Sequence, residues 1–270
     1  MPALDIAQIR AEAAELARLY GDPETFAAAA KDFFQAHSAP SYRQSLVVSI
    51  HAPLKSYDTP LPVLRALVNA VRKVATVNDS HTLLVAGRLW ADPIREQRRL
   101  AVELLGLVVA VRPDETYELM TRWLNTLDDL ELIGLLATQV GGPWLMGDLY
   151  SRLEQVRQWV NSPHKHQRQF GVTALAPLAK RRSSGDTTAV LEVLAGVMRE
   201  GDVEVRKSVA HVIRELSVNG PGEAARFLSA WADTIDKNTN WIVRHALEKL
   251  DTDTRAQITS ALRGQGGPHP

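Results

Sequence analysis

Cysteine is absent from this 270-residue chain, which excludes disulfides and thiolate metal centres together. Nor does any apolar run approach the roughly 18 residues that a membrane-spanning helix needs. The first twenty residues, MPALDIAQIRAEAAELARLY, place acids where a secretory signal would carry basic residues. These absences make a cytoplasmic protein the expectation. An excess of one charge is missing too, because 31 Lys+Arg meet 31 Asp+Glu. Nucleic-acid binders usually carry a basic excess, so the balance argues weakly against such a partner. There is no phosphate-cradling glycine loop, no HExxH pair and no Gly-x-Ser-x-Gly elbow, and neither a nucleotide cofactor nor a metal is expected. His164 and His166 flank Lys165 and fall short of the helical turn that would aim two imidazoles at one ion.

Strand-like alternation of apolar and polar residues is also missing. Helical spacing fills nearly the whole chain instead. Residues 5–19 and 23–36 read as an Ala-rich opening pair broken at Gly21-Asp22-Pro23. Prolines at 40, 53, 60 and 62 interrupt the pattern over 38–62, and Thr59 is the expected N-cap of a helix running to Val74. Further helices are expected over 79–90, 94–109, 115–124, 128–140, 145–159, 165–179, 187–199, 203–216, 221–235 and 238–250. The stretch 180–185 reads as a basic turn, and the tail GQGGPHP reads as disordered.

Three arginines, Arg168, Arg206 and Arg244, fall 38 residues apart and open the same pattern. Apolar or small residues follow each at +3 and at +6 or +7: Gly171 and Leu175, Val209 and Ile213, Leu247 and Leu250. A fourth copy begins at Arg98, with Ala101, Val102 and Leu105, so a degenerate copy is expected between Arg98 and Arg168. A period of 35–40 residues built from helix pairs signals HEAT-like repeats. The expected fold is therefore an all-α solenoid, curved, with a concave face. Residues 1–250 are expected to form one such domain, with an N-terminal helical cap over about 1–37, and 251–270 to form a short helix and a tail. An arginine early in the second helix of a repeat can brace neighbouring carbonyls or a carboxylate. Its forked donors can equally hold a phosphate. The period leaves both open.

Charge is uneven along the chain. Residues 150–250 hold 15 Lys+Arg against 11 Asp+Glu, plus four histidines, whereas residues 1–149 hold 14 and 18. The half with the clearest repeats is thus mildly basic. Asp128, Asp129 and Glu131 gather at an expected helix start, where acids suit the helix dipole whatever else they do. Most of the six tryptophans are expected between helices.

Five segments, in order and at matching spacing over about residues 45–250, carry a resemblance to a known family. IHAPLKSYDTPLPVLRALVNAV is like an aromatic-Pro-Leu loop and Thr-Pro cap leading into a helix. RLWADPIREQRRLAVELL resembles a Leu-Trp to Arg-Glu helix pair, and TRWLNTLDDLELIG a Trp-Trp-Asp-x-Val-Asp stretch. RQWVNSPHKHQRQFGVTAL is similar to a Trp-x-x-Ser segment followed by a Gln-Arg helix, and EVRKSVAHVIREL to a Gln-Lys-Ala helix ending in Arg-Glu. Together they resemble the HEAT-like DNA alkylation-repair glycosylases of the AlkD type.

The resemblance implies a monomer that binds alkylated duplex DNA and hydrolyses the N-glycosidic bond of cationic N3- or N7-alkylated purines. It implies no cofactor, and a cytoplasmic protein found on the nucleoid when DNA-bound. Asp128 falls on the family's catalytic aspartate, and Arg168 on its backbone-steadying arginine. Lys165, Lys207 and Arg244 are the further expected DNA contacts. Trp123 falls on the first Trp of the pair, whereas Leu124 replaces the second and His211 replaces the other aromatic wall. Trp144 is the candidate substitute. An aromatic face contributes about 0.5–2 kcal/mol to a bound cation. Losing two would slow the reaction by roughly one to three powers of ten. Two other readings remain at this stage: a non-catalytic binder of damaged or branched DNA, and a scaffold that binds proteins on its concave face.

Overall fold

A computed structural model describes residues 5–39, 54–180 and 184–263. Among these residues the secondary structure is helical apart from one isolated parallel bridge, Lys55 to Ile94. The chain packs as two compact units, Met1–Val140 and Gly141–Pro270. In both units aspartates start helices by accepting backbone N–H groups that have no partner inside the helix. Asp5, Asp22 and Asp129 do this in the first unit, and Asp148, Asp202 and Asp236 in the second.

The first unit holds α1 (Ile6–Ala17), α2 (Pro23–Ala36), α3 (Leu61–Val77), α4 (Asp79–Ala91), α5 (Arg95–Val108), α6 (Pro113–Leu124) and α7 (Leu130–Leu136). Alternate helices stack in two rows, with α1, α3, α5 and α7 in one and α2, α4 and α6 in the other. This is solenoid-type packing of helix pairs. Helix α3 buries Val63, Leu64, Leu67, Val68, Val71 and Ala75, the three-and-four spacing of one helix face. Helix α5 follows suit with Leu100, Ala101, Leu104, Leu105 and Val108.

Thr59 does not cap α3. Its hydroxyl donates to the Phe34 carbonyl at 3.0 Å, and α3 begins after Pro60 without a side-chain cap. Proline already fixes the entry φ and brings no N–H of its own. The segment before it is held by buried Glu96, whose Oε1 accepts from Ser56 Oγ (2.8 Å), Tyr57 N (3.1 Å) and Thr59 N (3.3 Å). Asp58, between them, sits at φ 53°, a left-handed conformation that short polar side chains tolerate. Pro40 and Pro53 lie outside the described residues.

After α7 the backbone widens into a π-helical turn over Ala137–Gly141. The second unit then holds α8 (Gly142–Gly147), α9 (Leu149–Val160), α10 (Lys165–Ala174), α11 (Ser184–Leu194), α12 (Val203–Asn219), α13 (Pro221–Ala232), α14 (Lys237–Ala246) and α15 (Thr252–Arg263). Here α9, α11, α13 and α15 form one row and α10, α12 and α14 the other. The expected helix over 145–159 is broken at Asp148, a non-helical residue (φ −155°, ψ 82°) that caps α9 through the Ser151 N–H. The expected helix over 165–179 stops at Ala174 and continues as a 3₁₀ turn over Ala176–Lys180, because Pro177 has no N–H to give. Gly171 brings α10 against α9: a Cβ there would lie 2.9 Å from Trp159 Cβ and 3.1 Å from Val160 N. The centre of the expected basic turn, 181–183, and the tail, 264–270, lie outside the described residues.

Candidate nucleic-acid interface

The spaced arginines divide by what holds them. Arg168, on α10, puts Nε and Nη2 on the two carboxylate oxygens of Glu200 at 2.7 and 3.1 Å. Its Nη1 donates to the Ser162 and Pro163 carbonyls, both at 3.0 Å. The fork on Glu200 raises the Arg168 pKa further. Four of the five guanidinium N–H donors are thereby engaged, which leaves one on Nη2 for an outside acceptor. Arg206, on α12, repeats the reach of 32 residues, donating to Asn238 at 2.6 Å, and lies 4.6 Å over the Trp241 ring. In the first unit, Arg99 pairs with Glu131 across the same interval. Each tie runs from one repeat to the start of the matching helix in the next, which is a bracing role. Arg98 braces differently: its Nε meets the Trp90 and Asp92 carbonyls at 3.3 Å, and its guanidinium lies 5.0 Å over Trp90. Arg244, on α14, is exposed and makes no hydrogen bond or ion pair with the described residues.

The acids at the start of α7 separate just as sharply. Asp129 is buried. Its Oδ1 accepts the Glu131 and Leu132 N–H groups at 3.0 and 3.1 Å, and its Oδ2 takes Arg95 Nη2 at 2.6 Å and Nε at 2.9 Å. Glu131 is tied to Arg99. Asp128 is exposed and makes no hydrogen bond or ion pair with the described residues. The guanidinium of Arg98 is near enough to feel it: burial lowers the Arg98 pKa, and the charges of Asp128 and Asp129 restore part of it. Three arginines of α5 thus face three acids around α7, and one acid is left open. Sequence reading found the acids but missed Arg95 and Arg99, whose only signal was an Arg-rich first turn on α5.

Most of the aromatic positions are interior. Trp123, Leu124 and Trp144 are 3%, 2% and 6% exposed, so they pack inside their units and offer little face to solvent. Trp123 stacks on Trp90 with centroids 4.3 Å apart and planes 5° apart. Trp144 sits 5.9 Å from Trp159, with the Arg152 guanidinium 4.6 Å over its ring.

His211 is exposed on α12, and its Nδ1 lies 3.1 Å from Arg214 Nη2. A guanidinium only donates, so Nδ1 is the acceptor in this contact. Arg214 is held in turn by Glu248 at 2.9 Å. Lys207 pairs with Glu204 at 2.8 Å, but both are exposed, which makes the pair weak and easily exchanged. Lys165 stands exposed at the first position of α10. On α12 the structure therefore groups Lys207, His211 and Arg214 along one helix.

Among the described residues, no group of three or more His, Cys, Asp or Glu is arranged to hold a metal ion, and no helix is long and apolar enough to cross a membrane.

The uncharacterized protein YhaZ of Bacillus subtilis (strain 168) is 26% identical over 170 residues, covering 60% of this chain. The chain spans about half of that protein, 47% of its length. Among solved structures, AlkD2 from Streptococcus mutans aligns at TM-score 0.56 and 17% identity, covering 67% of this chain and 89% of its own. The Pseudomonas fluorescens alkylpurine DNA glycosylase AlkC, bound to DNA containing an abasic site analog, aligns at TM-score 0.52 and 15% identity, covering 96% of this chain and 68% of its own. At such identities these likenesses establish the all-helical repeat fold. Residues 20–250 match the family described as DNA alkylation repair enzyme, so the match takes in both units, Asp128 and all four spaced arginines. The chain belongs to the DNA alkylation repair enzyme family.

Proposed function

We propose that this protein binds alkylated duplex DNA and hydrolyses the N-glycosidic bond of N3- or N7-alkylated purines, with Asp128 as the essential carboxylate. The observation that carries the reading is the open state of Asp128. Its two acidic neighbours are consumed by Arg95 and Arg99, while Asp128 alone of the three faces solvent without a partner. The DNA-bound alkylpurine glycosylase among the similar structures supports the same reading.

An alkylated purine is already cationic, so its departure needs little general-acid help. As the C1′–N bond breaks, the electron pair leaves with the base and positive charge builds on the sugar. A carboxylate beside the sugar stabilises that charge or takes a proton from the water that adds to C1′. Asp128 meets the requirement of access, being exposed and unshielded by a direct ion pair with the described residues. Arg244 and Lys165 are the cations best placed to take phosphates, since neither has a carboxylate partner among the described residues. Lys207 can exchange Glu204 for a phosphate, and Arg168 can contribute its remaining Nη2 donor. The protein acts as a monomer in the cytoplasm and needs no cofactor.

A second reading, a non-catalytic binder of damaged DNA, is favoured by the aromatic positions. Leu124 is buried, and His211 lies against the Arg214 guanidinium where a cation would prefer a ring face. Release of 7-methylguanine or 3-methyladenine from methylated duplex DNA tests the first reading. Release abolished in Asp128→Asn supports it. DNA affinity that falls steeply with salt, without release at enzyme excess, supports the second.

A further inference from the structure

We infer that Arg95 and Asp129 form a positioning pair that holds Asp128 open for catalysis; this rests on the proposed role of Asp128.

At α12 two different acids share the work of fixing the helix start. Glu200 receives the inter-repeat arginine, Arg168, while Asp202 caps the helix through the Glu204 and Val205 N–H groups. At α7 both tasks fall on one buried carboxylate. Asp129 Oδ1 caps the helix, and Asp129 Oδ2 receives Nε and Nη2 of Arg95 from 34 residues away. The backbone at Asp129 is extended, with φ −84° and ψ 111°. Consecutive side chains in extended backbone turn to opposite sides. Anchoring Asp129 inward therefore turns Asp128 outward, and a shift of Asp129 would be passed directly to its neighbour. The pair also removes the obvious competitor: with Arg95 committed to Oδ2 of Asp129, that guanidinium is not free to close on Asp128.

Arg95→Met should cut the single-turnover rate of alkylpurine release about tenfold to a hundredfold, the range expected when a reacting group is displaced by about an ångström. Affinity for the same duplex, measured on an abasic-site analogue, should stay within about twofold, because no phosphate contact is assigned to Arg95. Asp129→Asn keeps an oxygen for the cap but sets an Nδ2 donor against Arg95, so it should lose rate as Arg95→Met does, and Asp129→Ala, which loses the cap as well, at least as much. The milder Arg95→Lys and Asp129→Asn variants serve if Arg95→Met fails to fold. Arg112→Met is the control, since it breaks a more exposed fork on Asp79 (2.9 and 3.0 Å) that includes no residue of α5 or α7. It should leave the rate intact. The pair's role is overturned if the Arg95 and Asp129 variants excise at the wild-type rate, whatever their melting temperature. A wild-type protein that releases no base at enzyme excess overturns the proposed function, and this role falls with it. An active wild type whose Arg95 variants lose rate at unchanged affinity supports both.

Discussion

Replacing Gly171 with alanine should destabilise the second unit, although alanine is the better helix former. Helix α10 lies so close to α9 that the new Cβ would stand 2.9 Å from Trp159 Cβ, 3.1 Å from Val160 Cγ2 and 3.1 Å from the Val160 nitrogen. Two of these three atoms are fixed to backbone, so the helices must part by several tenths of an ångström. Parting them disturbs the edge-on contact of Trp159 with Phe170, centroids 4.9 Å apart, and the tilted contact of Trp159 with Trp144. Overpacking of this kind costs about 1–3 kcal/mol. Alanine returns about 1 kcal/mol of helix propensity. The net expectation is a loss of up to about 2 kcal/mol. For a chain of this size that is a fall of up to roughly 8 °C in Tm. Gly87, inside α4, supplies the opposite case: a Cβ there meets nothing within 4 Å, so Gly87→Ala should stabilise by about 0.5–1 kcal/mol. Urea titrations followed by tryptophan fluorescence compare the two variants directly. If Gly171→Ala proves as stable as Gly87→Ala, the close packing of α9 on α10 is wrong.

The helix-starting carboxylates of Asp22, Asp148, Asp236 and Asp251 all have pKa values lowered by the N–H and hydroxyl groups they accept from Thr25, Ser151, Thr239 and Thr254. A lowered folded-state pKa contributes stability that is complete above the ordinary carboxylate range, near about 4, and is lost as pH falls through the lowered values. Acid unfolding followed by circular dichroism should therefore begin below about pH 4, and earlier in Asp236→Ala. Burial pushes the Tyr20 phenol to about 12, against a smaller opposing effect of its bond to Thr82. Its stabilising share is thus intact below the ordinary tyrosine value, near about 10, and is lost as pH rises toward about 12. Ultraviolet titration should show a late tyrosine step approaching pH 12, and Tyr20→Phe should remove that step. Arg244→Ala should weaken duplex binding and reduce the salt slope by about one, with no change in Tm. An unchanged slope would remove Arg244 from the interface.

The repeat was legible because it is written in covalent spacing: Arg168, Arg206 and Arg244 keep their interval whatever they touch. What they touch was not legible. The Arg168 partner, Glu200, lies 32 residues on, and nothing local separates a brace from a phosphate contact. The start of α7 gives the same lesson. Asp128 and Asp129 look alike in sequence, and only the arrival of Arg95 from 34 residues away decides which of them is consumed. Thr59 failed as a cap because Pro60 had already set the helix entry, and the hydroxyl was better used on Phe34. The helix expected over 145–159 broke because Asp148 offers a cap that competes with helical continuation. Trp144 gave no sign in sequence that its ring lies under Arg152.

The most direct test of the account is base release from methylated duplex DNA under single-turnover conditions, with wild type and Asp128→Asn compared at equal DNA occupancy. 7-Methylguanine or 3-methyladenine should appear with the wild type and be lost with Asp128→Asn while binding persists. Release that survives Asp128→Asn unchanged, or no release by the wild type at enzyme excess, would contradict it.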